Sequence, residues 1–296
     1  MKGCARSCLT GLIGWFVAMA AFGLLFERAG VDPDTTQGAS IGLGILSTLA
    51  ISLLWSARGV MRHRALISDA IAGVPPVDGK WAGFSGTIRS SSPIVSPISG
   101  KRAVAYKYMI YTMVGSAKHR RKQSHYEGVA LASPAIQTNF GTYRLLAVPE
   151  FDMSPSEVEH EAAVRNATAY VEATEFETKA TGEPHRRSVE EQWTDDDGVF
   201  RQDFQGADTS NLADCRFDEQ MIEQGEKVCI VGLYSQMKGG IIPDANWAHQ
   251  TKIIRGDGET GVQSLGAQAR RYVIIGLVMG LMCAGIAWIV VMGAGA

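Results

Sequence analysis

YVIIGLVMGLMCAGIAWIVVM, Tyr272 to Met292, contains no charged residue and no proline. At 1.5 Å of helical rise per residue such a run extends roughly 30 Å, the thickness of a bilayer core. Working outward from it, two more blocks show the same property: LTGLIGWFVAMAAFGLLF over 9–26 and GASIGLGILSTLAISLLW over 38–55. The whole chain of 296 residues has 46% hydrophobic residues and a net charge of -2, figures ordinary for a water-soluble protein. The average conceals that the apolar residues are gathered into three blocks. The expectation is an α+β membrane protein, with three transmembrane helices, two N-terminal and one C-terminal, flanking a β-rich soluble domain.

The first block has a second reading as a cleaved signal peptide, because Lys2 and Arg6 precede it. Its length exceeds a typical h-region of about 7 to 15 residues, and Glu27-Arg28 stands where a small-residue cleavage site belongs. For the second block the alternative is a buried core helix, against which its small residues speak. Gly38 and Gly42 form one GxxxG pair and Gly276 and Gly280 another, spacings that let helix backbones approach within one chain or between copies. None of the three blocks contains Asp, Glu, Lys, Arg or His, so the usual marks of proton relays are missing.

Lys and Arg beside the spans set orientation, because they are retained on the inner face during insertion. Lys2, Arg6, Arg58, Arg62, Arg64, Arg270 and Arg271 flank the blocks, whereas the 27–36 connection holds Arg28 against Glu27, Asp32 and Asp34. The expectation is an inside amino terminus, a cytoplasmic soluble domain and an outside carboxyl terminus. The hairpin would occupy 1–57, juxtamembrane linkers 58–79 and 257–271, and the soluble domain 80–256.

Within that domain, 81–88 and 103–114 alternate apolar and polar residues and read as strands, joined by the proline- and serine-rich SSSPIVSPISGKR. Residues 127–131, 135–138 and 143–148 read as further strands. Residues 65–76 read as a short separate amphipathic helix. Ser154-Pro155-Ser156-Glu157 has the capping-box pattern and predicts a helix to about 170. The polar, acidic stretch 171–208 is expected as an exposed insert with fraying strands. Residues 216–224 are expected as a helix ended by Gly225, 227–234 as the firmest strand and 248–255 as the last.

GTIRSSSPIVSPISGKRAVAYKYMIY, 86–111, resembles the GIDE, or beside-a-membrane, domain of the MULAN-type family, and FDEQMIEQGEKVCIVGLYSQMKGG, 217–240, is similar to that family's acidic helix, following strand and turn. The family elements fall on Gly86 to Ile88, Ser96 to Lys101 and Tyr106 to Tyr108. The resemblance implies a module working beside a bilayer, for prokaryotic members in stress or defence responses. The eukaryotic member is an E3 ubiquitin ligase through a zinc-binding RING. This sequence has five cysteines without paired spacing and no RING, so neither zinc nor ubiquitin transfer is expected.

No nucleophile elbow, HExxH, Walker loop or dinucleotide fingerprint is present, and neither catalytic residue nor cofactor is assigned. Ser96 and Ser99 with Lys101 formally permit a Ser-Lys dyad, although a structural turn is the preferred reading. Asp195, Asp196 and Asp197 lack the spacing of a calcium loop. Cys4 and Cys8 are conceivable palmitoylation positions. Candidate binding residues are Ser96, Pro97, Ser99, Gly100, Lys101 and Arg102 in the loop, with Lys118, Arg120, Arg121 and Lys122 at a basic hairpin tip. The tip reads either as a solvated turn or as a surface for anionic lipid. The charge balance excludes nucleic acid as an expected partner. Expected partners are the membrane, an unidentified protein or anionic lipid and, for the helices, further copies of the chain. The leading function is a non-enzymatic interaction module; the alternative is an oligomerising, membrane-perturbing effector.

Overall fold

The computed structural model describes residues 2–116, 119–178, 198–207, 211–244 and 250–294, with side chains described from 13 to 293. The chain divides into two compact units, one made of Met1–Ala65 with Val262–Ala296 and one of Leu66–Gly261.

The first unit is helical. Helix α1 spans Lys2–Arg28, α2 spans Pro33–Ile71 and α4 spans Gly258–Ala294. Pro33 opens α2, where its missing N–H is no loss, and Asp32 accepts the N–H of Thr35 at 2.9 Å. Phe26, Leu43, Cys283 and Ala287 form a buried apolar cluster. Among the described residues two helices, Pro33–Ile71 and Gly258–Gly293, are by length and composition long and apolar enough to cross a membrane, two where the sequence led us to expect three.

Both juxtamembrane expectations need correction. Residues 58–71 are the second half of α2, not a separate element, and 258–271 are the first half of α4. No proline or glycine pair interrupts 58–71, and an uninterrupted backbone ladder continues into polar sequence without penalty. The 39 residues of α2 reach roughly 58 Å, about twice a bilayer core, so its basic half extends past any span.

The second unit is built in layers. Strands β1 (Trp81–Arg89), β5 (Ala135–Thr138), β6 (Gly141–Leu145), β12 (Gly240–Ile242) and β11 (Lys227–Ser235) pair in that order, and β11 pairs β1 again. The five therefore close on themselves as a small barrel, which leaves its strands no free edge within the ring. β13 (Lys252–Arg255) and β7 (Glu150–Asp152) extend this sheet from β11. The second sheet runs β10 (Arg216–Glu223), β3 (Arg102–Val114), β4 (Arg121–Leu131), β9 (Phe200–Gln205) and β8 (Glu177–Thr178), with β2 (Ile94–Val95) beside β3.

One face of the second sheet packs on the barrel through Val104, Leu131, Phe200 and Ile222 against Phe84, Ile136 and Ile230. Its other face is covered by helix α3, His160–Ala173, whose Ala163 and Ala167 meet Tyr106, Tyr108 and Ile110. A side chain on Gly83 of β1 would strike the Leu66 carbonyl, and Gly261 sits against Cys229 of β11.

Three further expectations are overturned. Residues 216–223 form a strand, not a helix, paired along β3 from Arg216↔Tyr111 to Ile222↔Ala105. Helix α3 begins at His160, because Ser156 N–H donates to the Glu219 carbonyl at 2.6 Å and holds 154–159 extended along β10. Glu159 takes the N-cap position with no side-chain cap, so the capping box does not form. The region 171–208 also contains β9, an interior strand between β4 and β8, so it is not merely an exposed insert. Asp195, Asp196 and Asp197 lie outside the described residues.

Candidate functional site

The SSSPIVSPISGKR segment is a fixed turn. Ser96 N–H donates to the Lys101 carbonyl at 2.9 Å and Gly100 N–H to the Ser96 carbonyl at 3.2 Å. Gly100 has φ +69°, a left-handed conformation that glycine adopts without cost. Beneath the turn lies Glu219 of β10, 1% exposed. Its Oε1 accepts the Ser96 hydroxyl and the N–H groups of Ile98 and Ser99, at 3.3 and 3.4 Å. A buried carboxylate requires such donors, so the turn and the glutamate hold each other in place.

This geometry separates the loop residues named from sequence. Ser96 and Pro97 are buried and serve as anchors, not contacts. Ser99 is half-buried with its hydroxyl on the Met221 sulfur at 3.4 Å. Gly100, Lys101 and Arg102 are exposed. Lys101 lies 3.5 Å from Glu223, and the Ser96 hydroxyl is given to Glu219, so no Ser-Lys dyad is formed.

On the far side of the turn stands α3, where Asn166 Nδ2 donates to the Ile98 carbonyl at 3.0 Å. Between turn and helix is a groove of about 820 Å³, walled by Pro93, Val95, Ala169 and Tyr170, with Val199 and Arg201 contributed by β9 and the residues before it. Turn, helix and strand come from three separated parts of the chain.

Below the groove runs a row of side chains that crosses four strands on one face. Its members are Glu219, Tyr108, Gly128 and Asp203, each directly opposite the next in register. Asp203 is 6% exposed and accepts the Tyr108 hydroxyl at 2.7 Å and the Tyr170 hydroxyl at 2.9 Å, one on each oxygen. Burial pushes the Asp203 carboxyl above the ordinary carboxylate range, against the opposing pull of the two tyrosines and Arg201. Burial likewise raises Tyr108 and Tyr170 far above an ordinary phenol. Gly128 makes the row possible: a Cβ there would sit 2.4 Å from Asp203 Oδ1 and 2.6 Å from Tyr108 Cε1.

None of Glu219, Arg201 and Asp203 was named from sequence, and Asn166 stood out only as the start of an Asn-Ala-Thr glycosylation pattern, not as a binding residue. Glu219 lay in a presumed helix and Arg201 and Asp203 in a presumed insert; the FRQDF alternation of 200–204 was the available signal.

The basic tip is divided too. Arg120 and Arg121 are exposed, while Lys122 lies 2.5 Å from Asp218 and 4.3 Å over the Tyr111 ring, bound to its own sheet. Lys118 is outside the described residues. In the helical unit, a Cβ on Gly276 would meet Leu54 at 3.1 Å and the Ala50 carbonyl at 3.3 Å, whereas Gly38, Gly42 and Gly280 have nothing within 4 Å. The close helix approach near α1 instead uses Gly44, where an added Cβ would sit 3.2 Å from the Trp15 ring. Among the described residues no cluster of His, Cys, Asp and Glu is placed to hold a metal. Comparison with protein-family models, curated proteins and solved structures finds no match.

Proposed function

We propose that this chain is a membrane-anchored, non-enzymatic binding module related to the GIDE, or beside-a-membrane, domains, which engages a protein partner in the groove between the 92–100 turn and α3. The observation that carries the reading is a preformed concave site whose wall is pinned from below by buried Glu219 and from the side by Asn166. Preorganised walls reduce the ordering cost of binding. In this reading three helices span the bilayer, including residues 9–26, and the charge bias of their flanks places the soluble domain on the inner face.

Proximity labelling with the enzyme fused near the soluble domain, compared between wild type and Ala169→Trp, tests it. Ala169 is exposed on α3 and lines the groove, so a tryptophan fills the site without entering the core. Partners lost in the variant are the expected result. An unchanged labelled set, with the variant folded, counts against the groove as the working surface.

A second reading follows from Gly38, Gly42 and Gly280, which face open space and leave helix surface for further copies. In that version the spans assemble and perturb the membrane. Depolarisation of cells on overexpression, relieved by Gly280→Leu, would favour it.

A further inference from the structure

We infer that the groove takes a short extended peptide segment bearing one carboxylate, which Arg201 receives; this rests on the reading of the groove as the partner site. Charge is the first argument. Among the described residues that line the groove, Arg201 alone carries one, and the rest are apolar or neutral. Arg201 hydrogen-bonds the Tyr106 hydroxyl and lies in the field of Asp203, whose two oxygens accept Tyr108 and Tyr170; a guanidinium carries five N–H donors, so these contacts do not exhaust it. Arg201 stands on an interior strand opposite Ala130, with its side chain partly exposed at the groove. A guanidinium so placed offers a planar fork of donors matched to a carboxylate.

The second argument selects a peptide over a lipid headgroup. β2 pairs with β3 as its single strand neighbour among the described residues, so one line of the groove is an edge of extended backbone. Extended peptides dock on such edges and place alternate side chains in adjoining pockets. Pro93, Val95, Ala169 and Val199 supply apolar walls for those side chains. A volume of about 820 Å³ suits a segment rather than a folded surface.

The test uses the full chain in phosphatidylcholine nanodiscs, incubated with three synthetic arrays of random hexapeptides. The first has free carboxyl termini and no Asp or Glu, the second amidated termini with Asp or Glu present, and the third amidated termini and no acid. Binding to the first or second, at least about tenfold stronger than to the third, is expected. Which of the two binds identifies the source of the carboxylate. Arg201→Gln should reduce that binding to the level of the third array, and Ala169→Trp should remove it. Equal binding to all three arrays, indifferent to Arg201→Gln but lost in Ala169→Trp, overturns the carboxylate assignment and leaves the groove reading standing. Peptide binding unaffected by Ala169→Trp overturns both. Binding to no array, with Arg201-dependent binding of phosphatidylglycerol vesicles, overturns the peptide in favour of a lipid anion.

Discussion

Gly128 occupies the one position in its row where any side chain would collide, wedged between the Tyr108 ring and the Asp203 carboxylate. Gly128→Ala therefore overpacks a hydrogen-bonded cluster and is expected to lower stability by about 1–3 kcal/mol. Thermal unfolding of the detergent-solubilised chain, followed by near-ultraviolet circular dichroism, measures the loss. Asp203 gives a pH signature. Its folded pKa is raised above the unfolded value, so its contribution is fully present below the ordinary carboxylate pKa and falls as pH rises through the folded one. Asp203→Asn cannot ionise. The stability of that variant relative to wild type should thus increase as pH is taken from about 4 toward 7. A difference independent of pH would show that Asp203 does not titrate in that interval. Cys229 has no comparable role: burial pushes its thiol up to about 11, and it is 0% exposed.

At the scale of the element, β10 shows how a buried acidic residue disguises a strand. In FDEQMIE the positions on the α3 side are Phe217, Glu219 and Met221, with Ile222 turned to the barrel, and a glutamate inside an apolar alternation reads as surface. Only the opposing Ser96-to-Ser99 donors make that burial tolerable. Ser96→Ala removes the hydroxyl donor from Glu219 Oε1, whose companion Oε2 has no partner among the described residues. A loss of about 1–3 kcal/mol is expected, read as an earlier denaturant midpoint. The helices offer a paired test of glycine use. Gly276→Leu must displace Leu54 and should destabilise the helical unit, whereas Gly280→Leu enters open space and should leave the unfolding temperature of the monomer unchanged. Equal effects of the two substitutions would mean that Gly280 is packed as closely as Gly276.

For the molecule as a whole, the second unit is a closed five-stranded barrel, a second sheet and one helix in successive layers. The proposed inner-face placement is checked at the β11–β12 turn, where Met237 is 87% exposed. In a chain with Cys4 and Cys8 replaced by serine, Met237→Cys should react with a membrane-impermeant maleimide only after the cytoplasmic face is opened. Reaction in intact cells would reverse the orientation. The remaining described cysteines, Cys215, Cys229 and Cys283, are buried and leave a low background.

Periodicity and charge patterning by themselves determined the apolar helices, the basic flanks and the strands read at 81–88, 103–114 and 227–234, each within one residue of the element formed, because each signal is local and repeats within one element. The serine-proline turn was equally legible, since proline and glycine constrain the backbone wherever they stand. Local reading failed where backbone partners were remote. Residues 154–159 exchange a capping box for a bond to β10, 216–223 become a strand through pairing with β3, and 200–205 enter the sheet interior beside β4. The groove was illegible for the same reason: Asn166, Arg201 and Glu219 are joined by hydrogen-bond register and layer packing, which depend on contacts between segments far apart in the chain. Only the tertiary structure turns Ser96 inward, because a buried carboxylate more than a hundred residues away requires its hydroxyl.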